Sequence, residues 1–148
     1  MKYFLVYFLV LFFSFQFSYG QNIRDKKPYL EYWDYNKMKI RIRGFNFILP
    51  SGEVTEQKHS TWTYYSKDGI VEEIRNYNQD ELDGQSLVYY PDGKIKTEGY
   101  FKKSLQDSIL REYWDNGKLK TEGYFRNDTL TGAWKHYYKS GLLMMEEE

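Results

Sequence analysis

A glycine returns at a step of 24 residues: Gly69, Gly93, Gly117 and Gly141 close the dipeptides Asp68-Gly69, Asp92-Gly93, Asn116-Gly117 and Ser140-Gly141. So regular a step calls for one short unit built four times, and a unit that short must stack on its own copies to hide any apolar surface. Ahead of each turn stands an aromatic pair: Tyr64-Tyr65, Tyr89-Tyr90, Tyr113-Trp114 and Tyr137-Tyr138. The first pair lies one residue further from its glycine, which reads as a small insertion in that turn. Beyond the glycines, Tyr77, Phe101 and Phe125 hold one shared position, and Gly84, Ser108 and Gly132 another.

Each copy reads as strand, turn, strand. Asp-Gly and Asn-Gly supply the positive φ that a tight hairpin needs. Leu119, Thr121, Gly123 and Phe125 alternate with Lys118, Lys120, Glu122 and Tyr124, a period of two that a helix would not show. An isolated hairpin is marginal in water, so the copies are expected to lie side by side. The sequence therefore predicts an all-β fold: an elongated single-layer antiparallel sheet of stacked β-hairpin repeats over residues 59–148. Residues 21–58 read as a divergent N-terminal cap of degenerate hairpins. There Pro50-Ser51-Gly52-Glu53 parallels Pro91-Asp92-Gly93-Lys94, and Glu31-Tyr32-Trp33-Asp34 echoes Glu112-Tyr113-Trp114-Asp115. The acids Glu146, Glu147 and Glu148 on the last strand oppose edge-to-edge pairing with another molecule.

The opening segment differs in kind. Met1-Lys2 precedes the apolar run YFLVYFLVLFFSFQF, and Ser18-Tyr19-Gly20 offers small residues for signal cleavage ahead of Gln21. Residues 1–20 thus read as a signal helix that exports the chain to the periplasm, outer envelope or medium. The competing reading is an uncleaved anchor, for which about 15 apolar residues fall short of the roughly 30 Å hydrocarbon core. Membrane contact is expected only through this segment, if it stays attached.

The pattern of aromatic pair, Asn/Asp-Gly, Lys-Leu-Lys-x-Glu, aromatic and Leu-x-Gly resembles the bacterial MORN-variant repeat, well over residues 60–148 and loosely over 28–58. The resemblance implies a curved array of hairpins with a non-enzymatic scaffold or binding role. Bacterial relatives are often labelled antitoxins by similarity, and eukaryotic relatives of the parent repeat are linked to membrane attachment and protein assembly. This chain departs from the pattern at Ser108, which replaces glycine, at Leu105, displaced by one residue, and at Ile70-Val71-Glu72, where other copies have Lys-Leu-Lys. Regular geometry is expected to break near Gly69 and over 104–108.

Little in the sequence points to catalysis. Lys+Arg and Asp+Glu balance at 21 each, which gives no pull toward nucleic acid, and there is no cysteine for a disulfide, thiolate metal site or nucleophile. The two histidines, His59 and His136, lack ligand spacing, and the acidic Asp80 to Gly84 stretch lacks the alternation of a calcium loop. Glu98, Glu122 and Glu146 share a repeat position; paired carboxylates can cleave glycosides, but any ladder of hairpins lines up such pairs. Lys96/Glu98 and Lys120/Glu122 read instead as solvated cross-strand charge pairs. No catalytic residue, metal or cofactor is expected.

The aromatics remain. Trp62, Tyr89, Tyr113, Trp114, Trp134, Tyr137 and Tyr138 are expected to form a stripe along the array. That stripe is either the array's own packing or, on one face, a platform for a partner. The favoured partner is another protein. An antitoxin-type protein neutralising a toxin is one alternative, and binding of an envelope polysaccharide is another.

Overall fold

The computed structural model describes residues 26–148. The expected signal helix lies outside the described residues. Eleven antiparallel strands form one open sheet: β1 (Lys26–Tyr32), β2 (Ile40–Ile48), β3 (Val54–Tyr65), β4 (Val71–Asn78), β5 (Glu81–Tyr89), β6 (Ile95–Lys102), β7 (Leu105–Tyr113), β8 (Leu119–Arg126), β9 (Thr129–Leu130), β10 (Trp134–Tyr137) and β11 (Leu143–Glu147). Strands follow chain order across the sheet, and only the short β9 leaves the path to pair with β8. Among the described residues there is no helix. The fold is the single-layer hairpin array that the repeat predicts.

Two kinds of turn alternate along the two edges. On one edge the glycine turns close with a three-residue loop and a left-handed glycine: the backbone N–H of Trp114 donates to Lys118 O at 2.8 Å, and that of Gly117 to Trp114 O at 2.8 Å. The same pair of bonds closes turns 66–70, 90–94 and 138–142. The turn that follows Tyr64-Tyr65 therefore carries no insertion. It has the common length; its aromatic pair is displaced, so that Tyr65 matches Tyr89 and Ser66 stands where Tyr90, Trp114 and Tyr138 stand. A second correction concerns Gly52. Its turn has the same chemistry but joins β2 to β3 on the opposite edge, so residues 50–56 are not a repeat. The extra copy is the β1–β2 hairpin, whose Trp33 donates to Lys39 O at 2.8 Å.

The other edge uses two-residue turns with positive φ at both positions: Gln79-Asp80, Lys103-Ser104 and Asn127-Asp128. The second residue of each clasps the first strand of the hairpin just completed: β3, β5 or β7. Asp80 N–H donates to Lys58 O at 2.9 Å, and Asp80 Oδ1 accepts from Lys58 N–H at 2.7 Å. Ser104 does the same with Leu82, and Asp128 with Gln106. The positive φ is stabilised by this reciprocal pair of bonds, which is why short polar acceptors recur there.

A single layer must make its core from side chains laid across neighbouring backbone. One row crosses the sheet through Trp62↔Arg75, Arg75↔Ser86, Ser86↔Gly99, Gly99↔Leu110 and Leu110↔Gly123. Along it large side chains lie beside small ones, as Arg75 beside Ser86 and Leu110 between Gly99 and Gly123. The Trp62 indole lies on Gly44, and Trp134 on Gly123, each where a glycine Cβ would stand. Trp62 is 3% exposed, packs on Tyr29 at 5.0 Å and donates its indole N–H to Phe45 O at 3.0 Å. Phe125 meets Trp134 edge-on at 5.6 Å.

Ser108 lies in a bulge of β7, between the pairs Gly99↔Leu110 and Phe101↔Gln106. It takes φ 74°, the same left-handed region as Gly84 at 109° and Gly132 at 113°, and Ser60 does so at 65°. The irregularity expected over 104–108 is present as this bulge, but it is not peculiar to the copy with serine: β5 shifts in the same way against β4 at Gly84, and serine tolerates at some cost the φ that glycine adopts freely. These positions predict opposite effects. Ser108→Gly should raise stability by about 0.5–1 kcal/mol through relief of that strain, and Gly123→Ala should cost about 1–3 kcal/mol by pushing Trp134 off the backbone. Thermal denaturation followed by circular dichroism reads both, with Trp134→Leu recovering part of the Gly123→Ala loss.

Candidate binding site on the turn edge

The seven aromatics do not make one stripe. Trp62 and Trp134 belong to the packed row just described. Tyr89, Tyr113 and Tyr137 end their strands on the opposite face, next to a row of charge. That row runs through Glu98↔Arg111, Arg111↔Glu122, Glu122↔Lys135 and Lys135↔Glu146, so signs alternate across five strands. Arg111 bridges both glutamates, at 3.2 Å to Glu98 and 3.2 Å to Glu122. Tyr113 donates to Glu98 at 2.7 Å and Tyr137 to Glu122 at 3.1 Å. Lys96 and Lys120 are therefore not the partners of Glu98 and Glu122: Lys120 pairs with Glu112 at 3.0 Å, and Arg111 takes the place expected of the two lysines. With both carboxylates held by one guanidinium and a phenol each, neither is presented to a substrate as a free acid or base.

Trp114 and Tyr138 sit in the glycine turns, where a third system links one hairpin to the next. The ring at the first turn position donates to the strand-end carbonyl of the following hairpin. Trp33 Nε1 reaches Tyr65 O at 3.0 Å, Tyr90 Oη reaches Tyr113 O at 2.7 Å, and Trp114 Nε1 reaches Tyr137 O at 3.1 Å. A lysine just past the glycine makes a second link: Lys94 Nζ to Asp115 O at 3.0 Å, and Lys118 Nζ to Ser140 O. A cation then covers each ring from the bulge of the same hairpin. Arg41 lies 4.8 Å over Trp33, Lys96 5.9 Å over Tyr90, and Lys120 5.4 Å over Trp114. The bulge is built in: each of these cations is the extra residue where the register shifts, as between Glu112 and Tyr113.

Between turns 66–70 and 90–94 all three parts change together. Ser66 replaces the ring, Ile70 the lysine, and Glu72 the bulge cation. A cleft of about 240 Å³ opens there, walled by Ser66, Ile70, Val71, Tyr89, Tyr90 and Pro91, with Asp68 and Glu72 at its rim. Among the described residues no ring donates to Tyr89 O. Of the seven aromatics that the sequence singles out, Tyr89 alone lines this cleft; Tyr113, Trp114, Tyr137 and Tyr138 lie along the later hairpins. Ser66, Ile70, Glu72, Lys96 and Lys120 are not expected as site residues from the sequence, although the displaced pair at Tyr64-Tyr65 and the Ile70-Val71-Glu72 departure mark the place.

Electrostatics separate this gap from its neighbours. The side-chain bond from Lys94 holds Asp92 below the usual carboxylate range, and that from Lys139 does the same for Asp115. Neither Asp68 nor Glu72 enters an ion pair among the described residues. Among the described residues there is also no cluster of three or more His, Cys, Asp or Glu able to hold a metal, and no helix long and apolar enough to cross a membrane.

Burial, and after it the bond to Glu98, pushes the Tyr113 phenol up to about 12 from its ordinary 10.0. A raised folded-state pKa favours folding in full below the unfolded value, and the benefit is lost as pH climbs through the folded one. Wild-type stability should therefore drop between about pH 10 and 12, and the drop should be shallower in Tyr113→Phe. Chemical denaturation across that window measures it.

Residues 58–79, 82–103 and 106–127 each match the model of the MORN repeat variant. No curated protein and no solved structure gives a significant match. Each matched unit opens at the residue clasped by the next two-residue turn, Lys58, Leu82 or Gln106, and ends just before the clasping Asp80, Ser104 or Asp128. The family unit is thus one hairpin, whose first residue is held by the residue that follows its last, and residues 58–127 are a run of three consecutive MORN repeat variants.

Proposed function

We propose that this protein is a non-catalytic repeat scaffold, exported by its first 20 residues, that binds another protein at the turn edge of its array. The observation that carries this reading is the cleft at Ser66. Elsewhere along that edge rings, lysines and carbonyls are joined to one another within the chain. Here the same backbone positions are open, with apolar walls and an unpaired acidic rim. MORN-type repeats are typically non-catalytic modules, and the aligned carboxylates of this array are taken up by Arg111. The aromatics singled out in the sequence support the reading in a narrower form. Trp62 and Trp134 stabilise the sheet, Tyr113 and Tyr137 hold the charge row, and Tyr89 alone of them lines the cleft at Ser66.

A photo-cross-linking amino acid tests this at Asp68 on the cleft rim, with Tyr124, 53% exposed and away from the turn edge, as the control position. Expressed as the full chain in its own cells, the protein labelled at 68 should give one discrete adduct with a second protein, and the protein labelled at 124 should not. Equal adducts from both positions, or none from either, would contradict the reading. Adducts that contain glycan in place of protein would favour the polysaccharide alternative.

A further inference from the structure

The chain states three times what fills the space between adjacent turns of this edge. In each filled copy an aromatic ring with an N–H or O–H donates to the next strand-end carbonyl: Trp33 to Tyr65, Tyr90 to Tyr113, Trp114 to Tyr137. In each, a cation at the bulge stacks on that ring. In two, a lysine ammonium also reaches a carbonyl of the next turn. The fourth space lacks the ring at Ser66 and the ammonium at Ile70, and it carries an acid, Glu72, at the bulge position that holds Arg41, Lys96 or Lys120 in the three linked copies. Reversal of its charge, beside the unpaired Asp68, makes the rim complementary to a cation from outside.

We propose that this cleft takes an exposed Trp or Tyr of a partner protein flanked by Lys or Arg, with the ring seated where Ser66 leaves room. The ring N–H or O–H donates to Tyr89 O, as Tyr90 does to Tyr113 O. Ile70, Val71 and Pro91 cover its faces. The flanking cations meet Glu72 and Asp68, and one of them stacks on the incoming ring as Lys120 does on Trp114. A ring donor joined to an ammonium or guanidinium is side-chain chemistry, which is why the occupant is protein and not sugar. The partner thus completes the row of links at the one break in it. This rests on the proposed binding role and names the chemistry of its partner.

The probe is the capped pentapeptide Gly-Lys-Trp-Lys-Gly, titrated into the full mature chain while amide resonances are followed by NMR. Saturable shifts are expected at Ser66, Ile70 and Tyr89. Peptides with Ala for Trp, or Glu for both Lys, should bind at least about tenfold more weakly. Ser66→Trp combined with Ile70→Lys supplies the missing parts from within, so it should abolish the shifts and raise the melting temperature. Glu72→Lys keeps the bulge and removes the acid, so it should weaken Gly-Lys-Trp-Lys-Gly and leave the Glu-for-Lys peptide no weaker. This single substitution decides the matter if the double variant fails to fold. No shift up to about 10 mM peptide, equal binding of all three peptides, or undiminished binding by Glu72→Lys overturns the proposal. An adduct at Asp68 together with any of these results leaves the binding edge standing and removes only the aromatic-cation chemistry. Peptide binding without an adduct does the reverse.

Discussion

A sheet one layer thick has no second layer to press against, so its stability depends on side chains laid sideways over neighbouring backbone. The indole of Trp62 on Gly44 is the clearest case, and Trp62 is the one buried apolar side chain among the described residues. Glycine is required beneath it because a Cβ would occupy the space of the ring. Gly123 under Trp134 repeats the arrangement near the other end of the row. Between them Leu110 covers Gly99 less completely. The spine is therefore anchored at two tryptophans and lighter in the middle, where the charge row on the opposite face begins at Glu98.

Hairpins secured in this way need further links to their neighbours, since each touches only the hairpins on either side. Both edges supply them. Asp80, Ser104 and Asp128 bind backbone on one edge, and rings and lysines bind carbonyls on the other. Across the opposite face Arg111 ties two hairpins through Glu98 and Glu122, whose side chains are 15% and 22% exposed. Partly shielded, hydrogen-bonded charges of this kind fix register more than they add stability, because a slip of one residue would carry each charge off the face that holds its partner. Specific alignment and local openness can then coexist: one link on one edge can be absent while the sheet stays continuous.

Much of this is legible in the sequence, for a physical reason. A 24-residue glycine step with alternating flanks admits almost no structure except stacked hairpins, so the fold class follows from spacing and turn chemistry. What spacing does not reveal is which face or edge a residue serves. Pro50 to Glu53 carries the same turn chemistry as Pro91 to Lys94 yet lies on the opposite edge, because a turn residue encodes local φ and not topology. Lys96 and Lys120 alternate with glutamates in sequence, but a bulge at each turns their side chains toward the turn rings, and a bulge has no composition signature. The acceptors Asp80, Ser104 and Asp128 stand at the 24-residue step and could be found by asking which polar residues share a position. Ser66 can be placed only once the register shows that Tyr65, not Tyr64, matches Tyr89.

Neighbouring turns joined by specific links, with one junction that lacks them, should differ in how readily they open. Native-state amide hydrogen exchange reads this junction by junction. The turn amides of Ser66 and Gly69 are expected to exchange at least about tenfold faster than those of Trp114 and Gly117, a difference of about 1.4 kcal/mol in opening free energy. Equal protection at the two turns would contradict the claim that the Ser66 junction is open.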